Sequence, residues 1–150
     1  MANTFTNLIY HIVFSTKGRL PLIRPEWRER LWAYMGGILR GEKGVPLEIG
    51  GTSDHAHVMS KLPPAKALAM ILDRLKSHSS KWINENRLLP AAFQWQRGYS
   101  AFTVSESAVP RVREYIRSQE KHHQRRTFED ELRELLQKNN IDYDEKFLLG

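Results

Sequence analysis

Two histidines, His55 and His57, flank a single alanine in the stretch TSDHAHVMSKLP, residues 52–63. The stretch reads as a β-strand, and residues two apart on a strand point to the same side. The two imidazoles therefore project together, with Ala56 and Val58 on the opposite face, and make half of a divalent-metal site. Further along, Tyr115 and Gln119 lie four apart in a segment of helical pattern, which stacks them on one helix face. Arg111, Arg113, Arg117, Lys121, Arg125 and Arg126 surround them. A phenol of pKa ~10 is ionised about one part in a thousand at pH 7. Nearby cations lower that pKa, and a metal on a phosphate lowers the barrier to attack from the other side. Tyr115 is thus a candidate nucleophile. Gln119 can lend its amide oxygen to the same metal, leaving positions open for phosphate oxygens and water. Each signal alone has a plainer reading. A His-x-His pair recurs by chance, and a tyrosine in a basic helix can simply be a half-buried aromatic.

The elements that must position these residues follow from periodicity. Residues 7–16, NLIYHIVFST, form a first strand with Leu8, Tyr10, Ile12 and Phe14 on one face and Ile9, His11 and Val13 on the other. His11 reads as a packed histidine, because it has no partner at ligand spacing. Residues 17–24 are a basic loop in which Lys17 and Arg19 are candidate phosphate contacts. Pro25 opens a helix whose apolar positions are Trp27, Leu31, Tyr34, Met35 and Ile38, ended by Gly41 or Gly44. Gly36-Gly37 inside it suggests a close approach to the sheet. Residues 45–50 are a second strand, and the histidine strand follows the Gly50-Gly51 turn. Pro63-Pro64 starts a helix to about residue 86, with Leu68, Ile71, Leu75, His78 and Trp82 as its buried stripe; Lys76 lies on another face as a candidate phosphate contact. Residues 94–104, QWQRGYSAFTV, are a fourth strand whose aromatics serve the core or stack on bases. A helix over residues 108–124 carries Tyr115 and Gln119, and a last helix runs over about 128–137. The expected fold is α+β: a ferredoxin-like four-stranded antiparallel sheet with two helices on one face and C-terminal helices carrying the tyrosine. The histidines then sit mid-sheet on the uncovered side. One domain is expected over residues 1–150, with its core at about 7–124 and a C-terminal helix and tail at 127–150.

Composition narrows the class. The chain of 150 residues has no cysteine, which excludes disulfides and thiolate metal sites and makes a reducing cytoplasm the expected compartment. No apolar run reaches the ~18 residues of a membrane span. Through Arg126 there are 20 Lys/Arg against 10 Asp/Glu; from Thr127 onward there are 3 against 7. A basic body points to a polyanionic partner, nucleic acid first. The acidic tail is either a solvated helix or packs on a basic neighbour.

With these residues in place the chain resembles the single-tyrosine HUH transposases of the smallest bacterial insertion sequences, the IS200-like type, and their REP-associated relatives. His55-Ala56-His57 matches the His-hydrophobic-His motif. YHIVFSTKGR, DHAHV, LKSHSSKWINE, FQWQRGYSAFTVS and EYIRSQEKHH occur in the family's order and spacing. The resemblance implies that Tyr115 attacks a phosphodiester of single-stranded DNA, leaving a 5′-phosphotyrosine and a free 3′-hydroxyl that later rejoins strands. It implies that His55, His57 and Gln119 hold Mg²⁺ or Mn²⁺, that hairpins at element ends are recognised, and that the protein is a homodimer, or a monomer in the REP-associated branch. In a dimer, the tyrosine helix of one subunit is expected to serve the histidines of the other. Arg111, Arg113, Arg117 and Lys121 join Lys17, Arg19 and Lys76 as candidate DNA contacts.

Competing readings are a non-catalytic nucleic-acid-binding module on the RNA-recognition scaffold, a domesticated REP-associated nuclease, and an inactive remnant. The first lacks the K/R-G-F/Y-G/A-F-V-x-F/Y signature. The last is disfavoured by the complete His/His/Tyr/Gln set. A replication initiator or relaxase often carries a second tyrosine near the first, and only Tyr115 occurs in residues 108–124.

Overall fold

The computed structural model describes residues 3–148 except residue 125, and Phe147 by its backbone alone. Its elements are β1 (Ile9–Ser15), α1 (Pro25–Gly41), β2 (Val45–Gly51), β3 (His55–Lys61), α2 (Leu68–Glu85), β4 (Ser100–Thr103), α3 (Val109–Arg117), α4 (Gln119–His122) and α5 (Phe128–Lys138), with short 3-10 turns at Lys17–Arg19, Glu106–Ala108 and Glu145–Phe147. The sheet order is β2-β3-β1-β4, with all neighbours antiparallel. This is the expected ferredoxin-like arrangement, with β1 and β3 in the centre. None of the described helices is long and apolar enough to cross a membrane.

Strand alternation divides the side chains between two cores. Ile12, Phe14, Ala56 and Val58 face α1 and α2, where they meet Leu31, Met35, Leu39, Ile71, Leu72 and Leu75. All of these are nearly inaccessible, and each large one contributes about 1.5–3 kcal/mol by leaving water. Ile9, Val13, Met59 and Phe102 face the other way, as do His11, His55 and His57. That second face was expected to be open. It is covered instead, by α3 through Val109 and Ile116 and by α5 through Phe128, Leu132 and Leu136.

Four local expectations are corrected. First, α2 starts at Leu68, not at Pro63-Pro64: a turn follows the prolines, and Ala67, in an extended conformation, is the N-cap. Its buried residues are Ile71, Leu72, Leu75, Ser79 and Ile83, and His78 is exposed. Second, β4 is only four residues long. The chain before it touches the sheet through one bridge, Thr16 to Trp95, and turns at Gly98 with φ +83°. Trp95 lies in the helix-side core against Phe14 and Phe93. Third, no close approach explains Gly36-Gly37: a Cβ at Gly36 would sit an ordinary 3.8 Å from Ile49, and Gly37 faces open space. Fourth, the helix over 108–124 is broken at Ser118. Its hydroxyl donates to the Glu114 carbonyl at 2.8 Å, a local bond that competes with helix continuation.

Candidate active site

β3 presents His55 and His57 side by side, both fully buried. Antiparallel pairing puts Val13 of β1 and Gly50 of β2 opposite His57, so His11, two residues from Val13, shares the same face. Gly50 has no side chain to hold α3 away. A Cβ there would lie 3.0 Å from both Cγ2 and the carbonyl oxygen of Ile116. The residue before Ile116 is Tyr115, and the close approach brings its ring edge-on to His57, with centroids 5.7 Å apart. The break at Ser118 then turns α4 inward and buries Gln119.

The histidines are oriented from behind. The Nδ1 of His55 donates to the Asp54 carboxylate at 2.8 Å, with the Thr52 hydroxyl at 3.0 Å. This leaves Nε2 aimed into the site, the usual carboxylate–histidine arrangement behind a metal. For Asp54, burial is the largest single influence and raises the carboxyl pKa, but the hydrogen bond and charge of His55 and the bond from Thr52 together turn the net shift downward. His57 Nδ1 is engaged by His11 Nε2 at 2.8 Å. Burial, and then the neighbouring His57, lowers the His11 pKa to about 3. Burial likewise lowers that of His57, despite the opposing pull of Glu131. The pair is neutral, as metal ligation requires.

Glu131 of α5 enters the centre of this group, fully buried. Its Oε1 lies 3.0 Å from His57 Nε2, 3.1 Å from His123 Nε2 and 3.4 Å from His55 Nε2. Its Oε2 accepts from Gln119 Nε2 at 2.9 Å and from the Tyr115 hydroxyl in a short contact. Burial pushes the Glu131 carboxyl up, but the bonds from His123 and His57 hold it well below the ordinary range. Tyr115 is pushed above its ordinary value, by burial first and then by the Glu131 charge. The phenol is therefore a poor nucleophile in this closed arrangement.

The donor set suits a divalent cation. Gln119 gives its amide hydrogen to Glu131, so its Oε1 faces His55 Nε2, at 2.8 Å. With the His55 proton on Nδ1, the Nε2 lone pair points at that oxygen and at Glu131. A positive charge placed there relieves that opposition. Donor atoms of His55, His57 and Glu131 all lie within 4.8 Å of one another, a group that could hold a metal ion.

Of the residues singled out in the sequence, His55, His57, Tyr115 and Gln119 meet here in one chain. The cations are dispersed. Arg113 and Arg117 pair with Glu48 at 3.6 and 3.1 Å. Lys17 donates to Gln94 at 3.1 Å, and Arg19 pairs with Glu129 at 3.2 Å. Lys76 donates to the carbonyls of Gln96 and Gly98, both at 2.6 Å, and so braces that turn. Arg111 and Lys121 are exposed. Sequence reasoning missed Glu131, His123, Asp54 and the second-layer role of His11. Glu131 had a signal: it falls on the buried stripe of α5, with Phe128, Leu132 and Leu136.

The profile of one family, described as "Transposase IS200 like", matches residues 4–119. The chain belongs to this IS200-like transposase family. The match takes in both histidines, Tyr115 and Gln119, and stops before α5. Among curated proteins, the transposases for insertion sequence element IS200 of Salmonella typhimurium and Salmonella typhi are each 27% identical over 125 residues, covering 79% of this chain and 81% of the relative. Two solved structures share the fold. A putative transposase from Deinococcus radiodurans superposes with a TM-score of 0.65 at 20% identity, over 79% of this chain and 95% of that one. A REP-associated tyrosine transposase bound to a REP hairpin gives 0.60 at 11% identity, over 82% and 73%. Membership in an IS200-like transposase family makes DNA cleavage the class of activity.

Proposed function

We propose that this IS200-like transposase cuts and rejoins single-stranded DNA through a phosphotyrosine at Tyr115, with a divalent ion held by His55, His57 and Gln119. The observation that carries the reading is the convergence of these four side chains from β3, α3 and α4. In the reaction the Tyr115 oxygen bonds to phosphorus as the bond to the 3′ oxygen breaks. The phenol loses its proton, the 3′ oxygen gains one, and a 5′-phosphotyrosine remains. One ester replaces another, so rejoining needs no ATP. Bound Mg²⁺ or Mn²⁺ would supply positive charge at the scissile phosphate. Two imidazole nitrogens beside an amide oxygen favour Mn²⁺ of the two. His11 and Asp54 hold the imidazoles in place, and Arg111 and Lys121 are exposed to meet the DNA backbone. A DNA hairpin is the proposed recognition element, in keeping with the hairpin bound by the REP-associated structural neighbour.

Tyr115 and Gln119 reach the histidines of their own chain, so the homodimer expected from the insertion-sequence branch is not needed to complete the site. The non-catalytic module on the RNA-recognition scaffold is disfavoured, because α3 and α5 cover the sheet face it would use. The test is a hairpin-bearing single-stranded oligonucleotide incubated with Mn²⁺ or Mg²⁺. Wild type should give a nicked product and a covalent adduct on a denaturing gel, both abolished by EDTA. Tyr115→Phe should give neither, and an adduct from that variant would assign the nucleophile elsewhere.

A further inference from the structure

A cavity opens beside the candidate active site, on the β4 side of the same sheet face. Val13 and Ser15 of β1 line it, and these two stand opposite His57 and His55 in the β1–β3 register. Neighbouring strands lie ~4.8 Å apart, so the cavity begins one strand away from the imidazole pair. Phe128 stands between the two sites: it stacks on His55, with ring centroids 4.5 Å apart, and also lines the cavity. The volume is about 290 Å³, at the lower limit of small-ligand pockets. That suits one flat ring system and not a length of folded strand.

The lining divides by chemistry. Val13, Phe128, Leu132 and Leu136 give an apolar wall, with Tyr143 packed against it. The turn before β4 contributes Gln96, Arg97, Tyr99 and Ser100. Among the described residues, the hydroxyls of Ser15, Tyr99 and Ser100 make no hydrogen bond and Arg97 makes no ion pair. Ser15 is nevertheless buried, at 8% exposure, and a buried hydroxyl ordinarily has a partner. Gln96 accepts from the Gly18 N–H at 3.0 Å through its amide oxygen, which leaves its amide hydrogens without a partner among the described residues. The turn is held in shape from several sides. Lys76 ties the carbonyls of Gln96 and Gly98, and the Gln96 N–H donates to the Ser15 carbonyl at 2.8 Å. A loop fixed at this many points presents its side chains already organised for binding.

An apolar, aromatic slot rimmed by unpartnered donors, with an unpaired guanidinium at its edge, has the chemistry of a nucleobase site: the base brings a flat apolar face, a polar edge and a phosphate close by. We propose that this cavity takes one unpaired base of the substrate strand, adjacent to the phosphate that Tyr115 attacks. The base packs on the apolar wall and Tyr99. Its edge meets the Gln96 amide, which donates, and the Ser15 and Ser100 hydroxyls, which donate or accept. Arg97 meets the backbone of the same nucleotide. The proposal rests on the reading of this chain as acting on single-stranded DNA and adds to it a subsite that reads a base. A paired base cannot enter without leaving its stack, so the cavity favours single strands over duplex. Gripping one base beside the metal site also fixes which phosphate lies at Tyr115.

The test is an abasic scan with the full chain. A fluorescent DNA hairpin with a single-stranded flank is made as a series, each member lacking one base of the flank. Affinities are measured in EDTA for wild type, for Tyr99→Ala, and for Ser100→Trp, which fills the cavity. In wild type, loss of the base at one position should weaken binding about five- to a hundred-fold, the range for a base stacked on an aromatic side chain, and loss of its neighbours should matter far less. In both folded variants the intact strand and the strand abasic at that position should differ by about two-fold or less, because the partner of the missing base is already gone. The proposal is overturned if no flank position is sensitive, or if the sensitive position stays so in both variants. These readings need neither metal nor cleavage. Failure of the underlying DNA reading looks different: no member of the series binds, the intact strand included.

Discussion

Gly50→Ala tests the placement of the nucleophile without touching any polar group of the site. The backbone of Gly50 lies outside the left-handed region, so alanine is tolerated there conformationally. The new methyl would stand 3.0 Å from the Ile116 carbonyl oxygen and 3.0 Å from its Cγ2. One of those atoms is helix backbone and cannot rotate aside, so α3 must rise off the sheet by a few tenths of an ångström or more. Overpacking of this kind costs about 1–3 kcal/mol, measurable by urea denaturation in EDTA. Tyr115 adjoins Ile116 and rides on the same helix. A shift approaching 1 Å at a reacting atom lowers rate by about a hundred-fold, so single-turnover nicking should fall about ten- to a hundred-fold. Of the three proposed ligands His55 and His57 stand on β3 and do not move with α3, and only Gln119 follows it, so Mn²⁺ affinity should change less than the nicking rate. A variant with wild-type stability and wild-type nicking would refute the reasoning. It would mean that α3 does not rest on Gly50 when the reaction occurs, as when the tyrosine serves another subunit.

Three further outcomes are expected. His57→Ala should lose Mn²⁺ binding by calorimetry and all nicking, and it should unfold more readily, because it strands the buried Glu131 and His11 groups that His57 now satisfies. Mixing His55→Ala with Tyr115→Phe under subunit exchange should restore no nicking, since each chain carries its own complete set; recovery would show a site shared between subunits. Acid should destabilise the metal-free protein through His11, whose pKa of about 3 in the folded state lies below the 6.5 of the unfolded chain. Between those values the unfolded chain binds the extra proton, so stability is present above pH 6.5 and is lost as pH falls toward 3. By pH 4 the loss from this group is about 3 kcal/mol, and a His11→Phe variant should show a shallower acid slope in denaturation midpoints.

What could be read in the sequence was whatever depends on local period. The alternation around His55 and His57 set their common face, and the four-residue spacing of Tyr115 and Gln119 brought them together, though the helix between them breaks at Ser118. Strand order followed because β1 is largely apolar on both faces, as a central strand is, and the element order fits a topology in which the third strand is central too. The boundaries that failed were those where neighbours decide. Residues 94–99 have the alternation of a strand, but Lys76 of α2 ties the Gln96 and Gly98 carbonyls away from the sheet. His78 has stripe spacing, yet α2 is rotated so that Ser79 faces inward, where its hydroxyl accepts from the Trp95 indole at 2.9 Å.

The acidic C-terminal segment shows the limit most clearly. Its charge said only that it was solvated or packed on a basic neighbour, and both occur within the segment: Glu145, beyond α5, pairs with Arg133 at the surface, while Glu131 of α5 is buried. The stripe Phe128, Glu131, Leu132, Leu136 contains one carboxylate among apolar residues, and an ionised carboxylate enters a core only where donors await it. Those donors are the His57 imidazole from β3, one imidazole from the α4 terminus, an amide and a phenol. They lie between 8 and 74 residues away in sequence, so no window of periodicity contains them. A buried acid on an amphipathic stripe therefore announces that a cationic or donor-rich site lies opposite. The only such site the sequence offered was the one built around His55 and His57. That same acid ties the site together, engaging His57, His123, Gln119 and Tyr115 at once.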